Sequence, residues 1–120
     1  MKTKIKTLCK TRLADIQTPV SIYLKVRDMF PESALLESSD YHSTENSFSF
    51  IGIEPLARFS VRDFQVMEQY PDGRIEVRKI DGNLPLADAL NDFVARFEVS
   101  GDESRVNGFV GYTAYDAVEY

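Results

Sequence analysis

An α+β domain, with a mostly antiparallel sheet and two or three helices packed on it, is the fold class this sequence predicts, on three observations. The strand-like segments between Phe48 and Ile80 lie too close together for the helical crossovers that parallel neighbours need. Pro71, Asp72 and Gly73 give the strongest turn signal in the chain and join two alternating segments into a hairpin. Two further segments each begin with a proline and carry apolar residues at helical spacing. The order strand, helix, strands with a hairpin, helix, strand sets the helices on one side of the sheet.

Lys4 to Arg12 alternates, with Ile5, Thr7 and Cys9 on one face and lysines on the other, as an edge strand does. Thr18 is suited to cap a helix whose first position is Pro19, and Ile22, Tyr23, Val26, Met29 and Phe30 form its apolar stripe. Pro31 ends that helix, because the residue before a proline is pushed out of the helical region. Ala34 to Leu36 reads as a short buried strand. Phe48, Phe50 and Ile51 lead into Gly52, where a bulge or a close backbone approach is expected, and Leu56 to Val61 resumes as a strand. Phe64, Val66, Glu68 and Tyr70 continue the alternation to the hairpin turn. On the return, Ile75, Val77 and Lys79 share one face, and Glu76 and Arg78 the other, expected to be the polar, solvent-facing side. Asp81, Gly82 and Asn83 turn the chain into a second helix, with Pro85 at its first position and Leu86, Leu90, Phe93, Val94 and Phe97 at helical spacing. After a polar link from Ser100 to Asn107, GFVGYTAYDAVEY reads as a strand leading towards a helix. That helix is expected to be cut short, as in a piece of a longer chain, the alternative being an end whose aromatic rings fold back.

The 120 residues suit one domain with a real core, and 43% hydrophobic and 28% charged content is ordinary for a soluble protein. No apolar run approaches the length of a membrane span or a signal peptide, which makes a cytoplasmic location the expectation. The first twelve residues hold five of the fourteen basic residues and no acid, so the chain from Leu13 onward carries a net charge of minus ten. Such a surface repels phosphate and argues against nucleic acid as a partner. Cys9 is the only cysteine and is expected to pack as a small apolar residue, and with His42 the only histidine there is no ligand set for a structural zinc.

Leu35 to Gly52 places an apolar strand, a polar loop and a second apolar strand within eighteen residues. Glu37, Ser38, Ser39 and Asp40 fall where the first strand opens, an arrangement that either presents hydrogen bonds to a small polar ligand or makes an ordinary turn. No catalytic constellation accompanies it. His42 has no apparent partner for nucleophilic chemistry, there is no phosphate-cradling or dinucleotide motif, and Asp88 with Asp92, like Asp102 with Glu103, reads as a solvated face. The residues alone favour a binding or regulatory module over an autonomous enzyme.

LLESSDYHSTENSFSFIGIEP, from Leu35 to Pro55, resembles the N-terminal region of the large subunit of anthranilate synthase, and GYTAYD, from Gly111 to Asp116, resembles a GYxxYD segment further along it. The two motifs bracket the chain from Ala34 to Tyr120. The resemblance implies that residues 1–120 are one N-terminal regulatory region within a larger α/β sandwich, whose chorismate and magnesium sites lie in a C-terminal part absent here. It implies a glutamine amidotransferase partner, tryptophan as feedback inhibitor, and Leu36, Glu37 and Ser38 at the tryptophan site, with no catalytic or metal-binding residue in this segment. One departure is that many relatives carry a basic residue ahead of the SFIG-like strand, where this chain has Asn46, Ser47 and Phe48. The alternatives are the same region of aminodeoxychorismate synthase and a free-standing amino-acid-binding module. Tyr112, Tyr115 and Tyr120 are expected to be exposed and to favour self-association.

Overall fold

The computed structural model describes residues 2–37, 48–102 and 107–120. It is α+β with mostly antiparallel pairing, distributed over three small sheets and two compact units. One unit is Thr11–Pro55; the other is Met1–Lys10 with Leu56–Tyr120.

In the first unit, α1 (Pro19–Val26) packs on an antiparallel pair, β2 (Ser33–Glu37) and β3 (Ser49–Ile53). To number in chain order, β1 (Thr3–Thr7) precedes them and belongs to the second unit. Thr18 caps α1 as expected. Its Oγ1 accepts from the Ser21 amide at 3.1 Å, while Ser21 Oγ accepts from the Thr18 amide at 3.0 Å. The helix ends at Val26, four residues short of Phe30; beyond it the Met29 and Phe30 amides both bond the Val26 carbonyl in a last turn ahead of Pro31. Gly52 shows neither bulge nor close approach. It pairs with Ala34 in unbroken register, and a Cβ added there would meet nothing within 4 Å.

The second unit is built on β4 (Arg58–Arg62), β5 (Gln65–Gln69) and β6 (Ile75–Lys79), antiparallel in that order. The β4–β5 turn sets Asp63 and Phe64 at φ 51° and 59°, so Phe64 turns the chain and does not extend the strand. α2 (Leu86–Ala95) lies on one face of this sheet, with Pro85 as its N-cap and not its first helical residue. Val66, Ile80 and Ala89 are the centre of the core, flanked by Phe59, Val61, Leu84 and Leu86. Fully buried Phe93 sits among the rings of Phe59, Tyr70, Phe97 and Phe109, at centroid distances of 5.2 to 5.7 Å. Burying such a ring contributes about 2–3 kcal/mol. Phe97 leaves the helix and opens β7 (Phe97–Gly101), which runs parallel to β1 with Ile5 opposite Val99.

Three further expectations change here. β1 ends at Thr7, and Cys9 lies beyond it, exposed rather than packed. Residues 107–114 form no strand, and Tyr115–Glu119 is a single 3-10 segment, not an α-helix. Tyr112 and Tyr115 are exposed, but Tyr120 folds back so that its ring meets Phe64 edge-on at 4.8 Å.

Candidate functional site

The strand end singled out by sequence is the end of the β2–β3 pair at which residues 38–48 connect the two strands. Leu36 stands opposite Phe50, and Glu37 opposite Ser49. Alternation puts these two pairs on opposite faces, so Leu36 and Glu37 share a strand end without sharing a face. Leu36 and Phe50 are 45% and 51% exposed, whereas Leu35 and Ile51, which alternation sets on the other face, are half-buried. The short buried strand is therefore half-exposed. Glu37 is exposed and makes no ion pair among the described residues. Ser38, Ser39, Asp40, His42, Asn46 and Ser47 lie outside the described residues, as does Glu103.

The densest polar arrangement was not expected from sequence. β5 and β6 turn Glu68, Glu76 and Arg78 towards α2, the reverse of the solvent-facing side predicted for Glu76 and Arg78, while Ile75 and Val77 point outward. Glu68 is fully buried. Its Oε2 accepts from the Tyr70 hydroxyl at 2.6 Å, and its Oε1 accepts from Arg78 Nη2. Arg96, the C-cap of α2, donates through Nη1 to the Tyr70 oxygen and to Glu76 Oε2, both at 2.7 Å. Arg78 also lies 3.7 Å from Asp92 on α2, which removes that acid from the purely solvated face.

The charges perturb one another in consistent directions. Burial, then the hydrogen bond to Glu68, pushes the Tyr70 hydroxyl up to about 12. The hydrogen bond from Arg96 holds the Glu76 carboxyl below its usual range, and the same bond raises Arg96. With Arg74 3.6 Å from Glu76, the cluster brings together three carboxylates (Glu68, Glu76, Asp92) and three guanidiniums (Arg74, Arg78, Arg96), with Glu68 fully buried at its centre. It is built to join a helix to a sheet, not to turn over a substrate. The available signal was Glu68 itself, an acid at an apolar position in the alternation Phe64, Val66, Glu68, Tyr70.

Among the described residues, no group of three or more His, Cys, Asp or Glu side chains is placed to hold a metal ion, and no helix is long and apolar enough to cross a membrane.

Neither a family profile nor a solved structure matches the chain. Curated proteins do. The chain is 40% identical over 111 residues to anthranilate synthase component 1 of Pseudomonas aeruginosa, covering 90% of this chain and 22% of that protein. It is 35% identical over 120 residues to the protein of that name from Thermus thermophilus, and 32% over 117 residues to that of Pseudomonas putida, covering 98% of this chain in both cases and 24% and 23% of those proteins. The chain thus spans about a quarter of the length of these relatives and matches their N-terminal region.

Proposed function

We propose, for a chain that aligns almost end to end with the N-terminal region of anthranilate synthase component 1, that it is that part of such a subunit and serves tryptophan biosynthesis. The observation that carries this is the extent of the match, 90–98% of the chain, with proteins that all bear one name. In this reading the longer protein forms anthranilate from chorismate, with ammonia supplied by a glutamine amidotransferase partner. Residues 1–120 support it and hold part of a feedback site. In this reading magnesium belongs to the rest of the protein.

The feedback site is assigned to Leu36, Glu37 and Ser38. A free amino acid brings an ammonium that a carboxylate and a hydroxyl hold by charge-assisted hydrogen bonds, each worth about 1.5–3 kcal/mol. An exposed Glu37 at the end of β2, where the chain leaves the strand, suits that role. Because Leu36 lies on the other face, the ligand this reading requires sits at the end of the pair rather than on either side of it.

The experiment is an assay of anthranilate fluorescence, with chorismate, ammonia and magnesium, on the 120-residue chain and on the full-length gene product. Anthranilate from the long protein and none from the short chain is the expected result. Aminodeoxychorismate as the product, or turnover by the short chain alone, overturns the reading.

A further inference from the structure

Asn107 and Gly108 form the only Asn-Gly pair in the chain, and both residues are exposed. An asparagine followed by glycine is especially open to attack by the next main-chain nitrogen on the side-chain amide, because glycine has no Cβ to shield that nitrogen or to restrict the approach. Residues 107–114 belong to no helix or strand, so no regular ladder of hydrogen bonds holds the Gly108 amide. The other described asparagines lack this setting. Asn83 precedes the bulky Leu84, and Asn91 lies within α2, where helical bonding engages the following amide.

One contact restrains Asn107. Its Nδ2 donates to Thr7 Oγ1 at 2.5 Å, across 100 residues of sequence. Thr7 ends β1 opposite Gly101, and its carbonyl accepts from the Asp102 amide at 2.9 Å, so the chain leaves Thr7 at residue 102 and returns to it at residue 107. The atom held by Thr7 is the nitrogen that the attack expels. A side chain anchored there samples fewer of the torsions that bring its Cγ onto the Gly108 nitrogen.

We propose that Asn107 is a site of spontaneous deamidation, and that its bond to Thr7 sets the pace. The Gly108 nitrogen gives up its proton to solvent and forms a bond to Asn107 Cγ; the Cγ–Nδ2 bond breaks, and Nδ2 takes a proton from solvent and leaves as ammonia. Water then opens the cyclic imide at either of its carbonyls. The sum is asparagine and water giving ammonia and either aspartate or isoaspartate, with nothing oxidised or reduced. Both products carry a new negative charge. In isoaspartate the former side-chain Cγ has become main chain, so the amide that bonded Thr7 is gone and β1 loses its tether to the segment that leads into GYTAYD.

The test incubates the 120-residue chain at mildly alkaline pH, both folded and in guanidinium, and follows each asparagine by peptide mapping with mass spectrometry, aspartate and isoaspartate being separated by chromatography. Two variants accompany it. Thr7→Val keeps a β-branched residue on β1 and removes the acceptor, and Gly108→Ala shields the attacking nitrogen at a position where a Cβ meets nothing within 4 Å. Asn107 is expected to react ahead of Asn83 and Asn91. It should react about two- to tenfold faster in folded Thr7→Val than in the folded parent, the ratio that loss of one hydrogen bond brings, and at least about tenfold more slowly in Gly108→Ala. In guanidinium, the parent and Thr7→Val should react at the same rate. Equal rates in the two folded proteins overturn the restraint, as does a difference that persists in guanidinium. Asn83 or Asn91 reacting first, or an unchanged rate in Gly108→Ala, overturns the site. If Thr7→Val does not fold, the parent alone decides: a folded chain that reacts less than about twofold more slowly than the same chain in guanidinium overturns the restraint.

Discussion

Glu68 on β5 and Glu76 on β6 stand directly opposite each other across the hairpin, and the single guanidinium of Arg96 reaches both, at 3.7 Å and 2.7 Å. Like charges in that position destabilise a sheet unless a cation intervenes. Here a cation shared by both acids comes from the C-cap of α2, adding to Arg78 of β6 beside Glu68 and to Arg74, 3.6 Å from Glu76, so docking of the helix completes the relief of repulsion within the hairpin. Arg78 and the Tyr70 hydroxyl complete the coordination of Glu68. Secondary structure and tertiary packing thereby become one cooperative unit.

Arg96→Met should therefore cost more than a surface ion pair does. Removing one partner of a buried pair costs about 3–5 kcal/mol, and partial exposure of Arg96 brings the expectation to about 2–3 kcal/mol. Arg96→Lys keeps the charge but not the fork that spans Tyr70 and Glu76, and should recover about half of the loss. Urea unfolding of the three proteins measures both effects. Equal stability of Arg96→Met and the parent would show that the clamp contributes nothing.

Tyr70 gives the fold an alkaline limit. Its folded value, about 12, lies above the ordinary 10.0, so its contribution is fully present below pH 10 and is lost as the pH rises towards 12. Glu76 acts at the acid end: its value is lowered, so its contribution is present above the usual carboxylate range and is lost as the pH falls through its folded value. Tyr70→Phe should lower stability at pH 7 by about 1–2 kcal/mol, because Glu68 loses a donor. It should also flatten the fall in unfolding free energy between pH 10 and pH 12. Parallel slopes for parent and variant would contradict this assignment of the alkaline limit.

The elements set by local chemistry were legible in the sequence. Thr18 with Pro19, Pro71 to Gly73, and the stripe carrying Phe93 each act through their own neighbours, and the structure has the helix, the hairpin and the second helix that they announce. The facing of β6 was not legible, because Ile75, Val77 and Lys79 alternate with Glu76 and Arg78 equally well in either orientation. Only Glu68 on β5 and Arg96 twenty residues beyond Glu76 decide which side is inner. The parallel pairing of β1 with β7 was hidden for a similar reason, since its partners lie more than ninety residues apart. At the candidate site, the strand was legible, and the separation of Leu36 from Glu37 follows once the register with Phe50 and Ser49 is known.

Gly101 marks where β7 comes close to β1. Its φ is +99°, and a Cβ there would fall 2.2 Å from the Thr7 carbonyl oxygen, which accepts a hydrogen bond from the Asp102 amide. Gly101→Ala should cost about 2–4 kcal/mol through backbone strain and displacement of β1. Gly52→Ala, with open space around it, should stay within about 0.5 kcal/mol of the parent. Thermal unfolding of the pair tests the contrast, and similar effects at the two glycines would refute it.

The effector reading is tested in the full-length protein at Glu37 and Ser38. Glu37 is exposed at the end of β2 and makes no ion pair among the described residues, so Glu37→Ala should leave the fold intact while removing the group assigned to the ligand ammonium. Loss of one charge-assisted contact worth about 1.5–3 kcal/mol corresponds to a rise of about ten- to a hundredfold in the tryptophan concentration for half-inhibition. Ser38→Phe, which replaces a small hydroxyl by a ring, should weaken inhibition at least as much. Uninhibited turnover should be nearly unchanged in both, since neither residue is assigned to the reaction. Glu37→Gln separates charge from shape: it keeps the size and a hydrogen-bond acceptor, so recovery of less than half of the lost sensitivity indicates that the carboxylate charge holds the ammonium. Full sensitivity in Glu37→Ala would remove the site from this strand end.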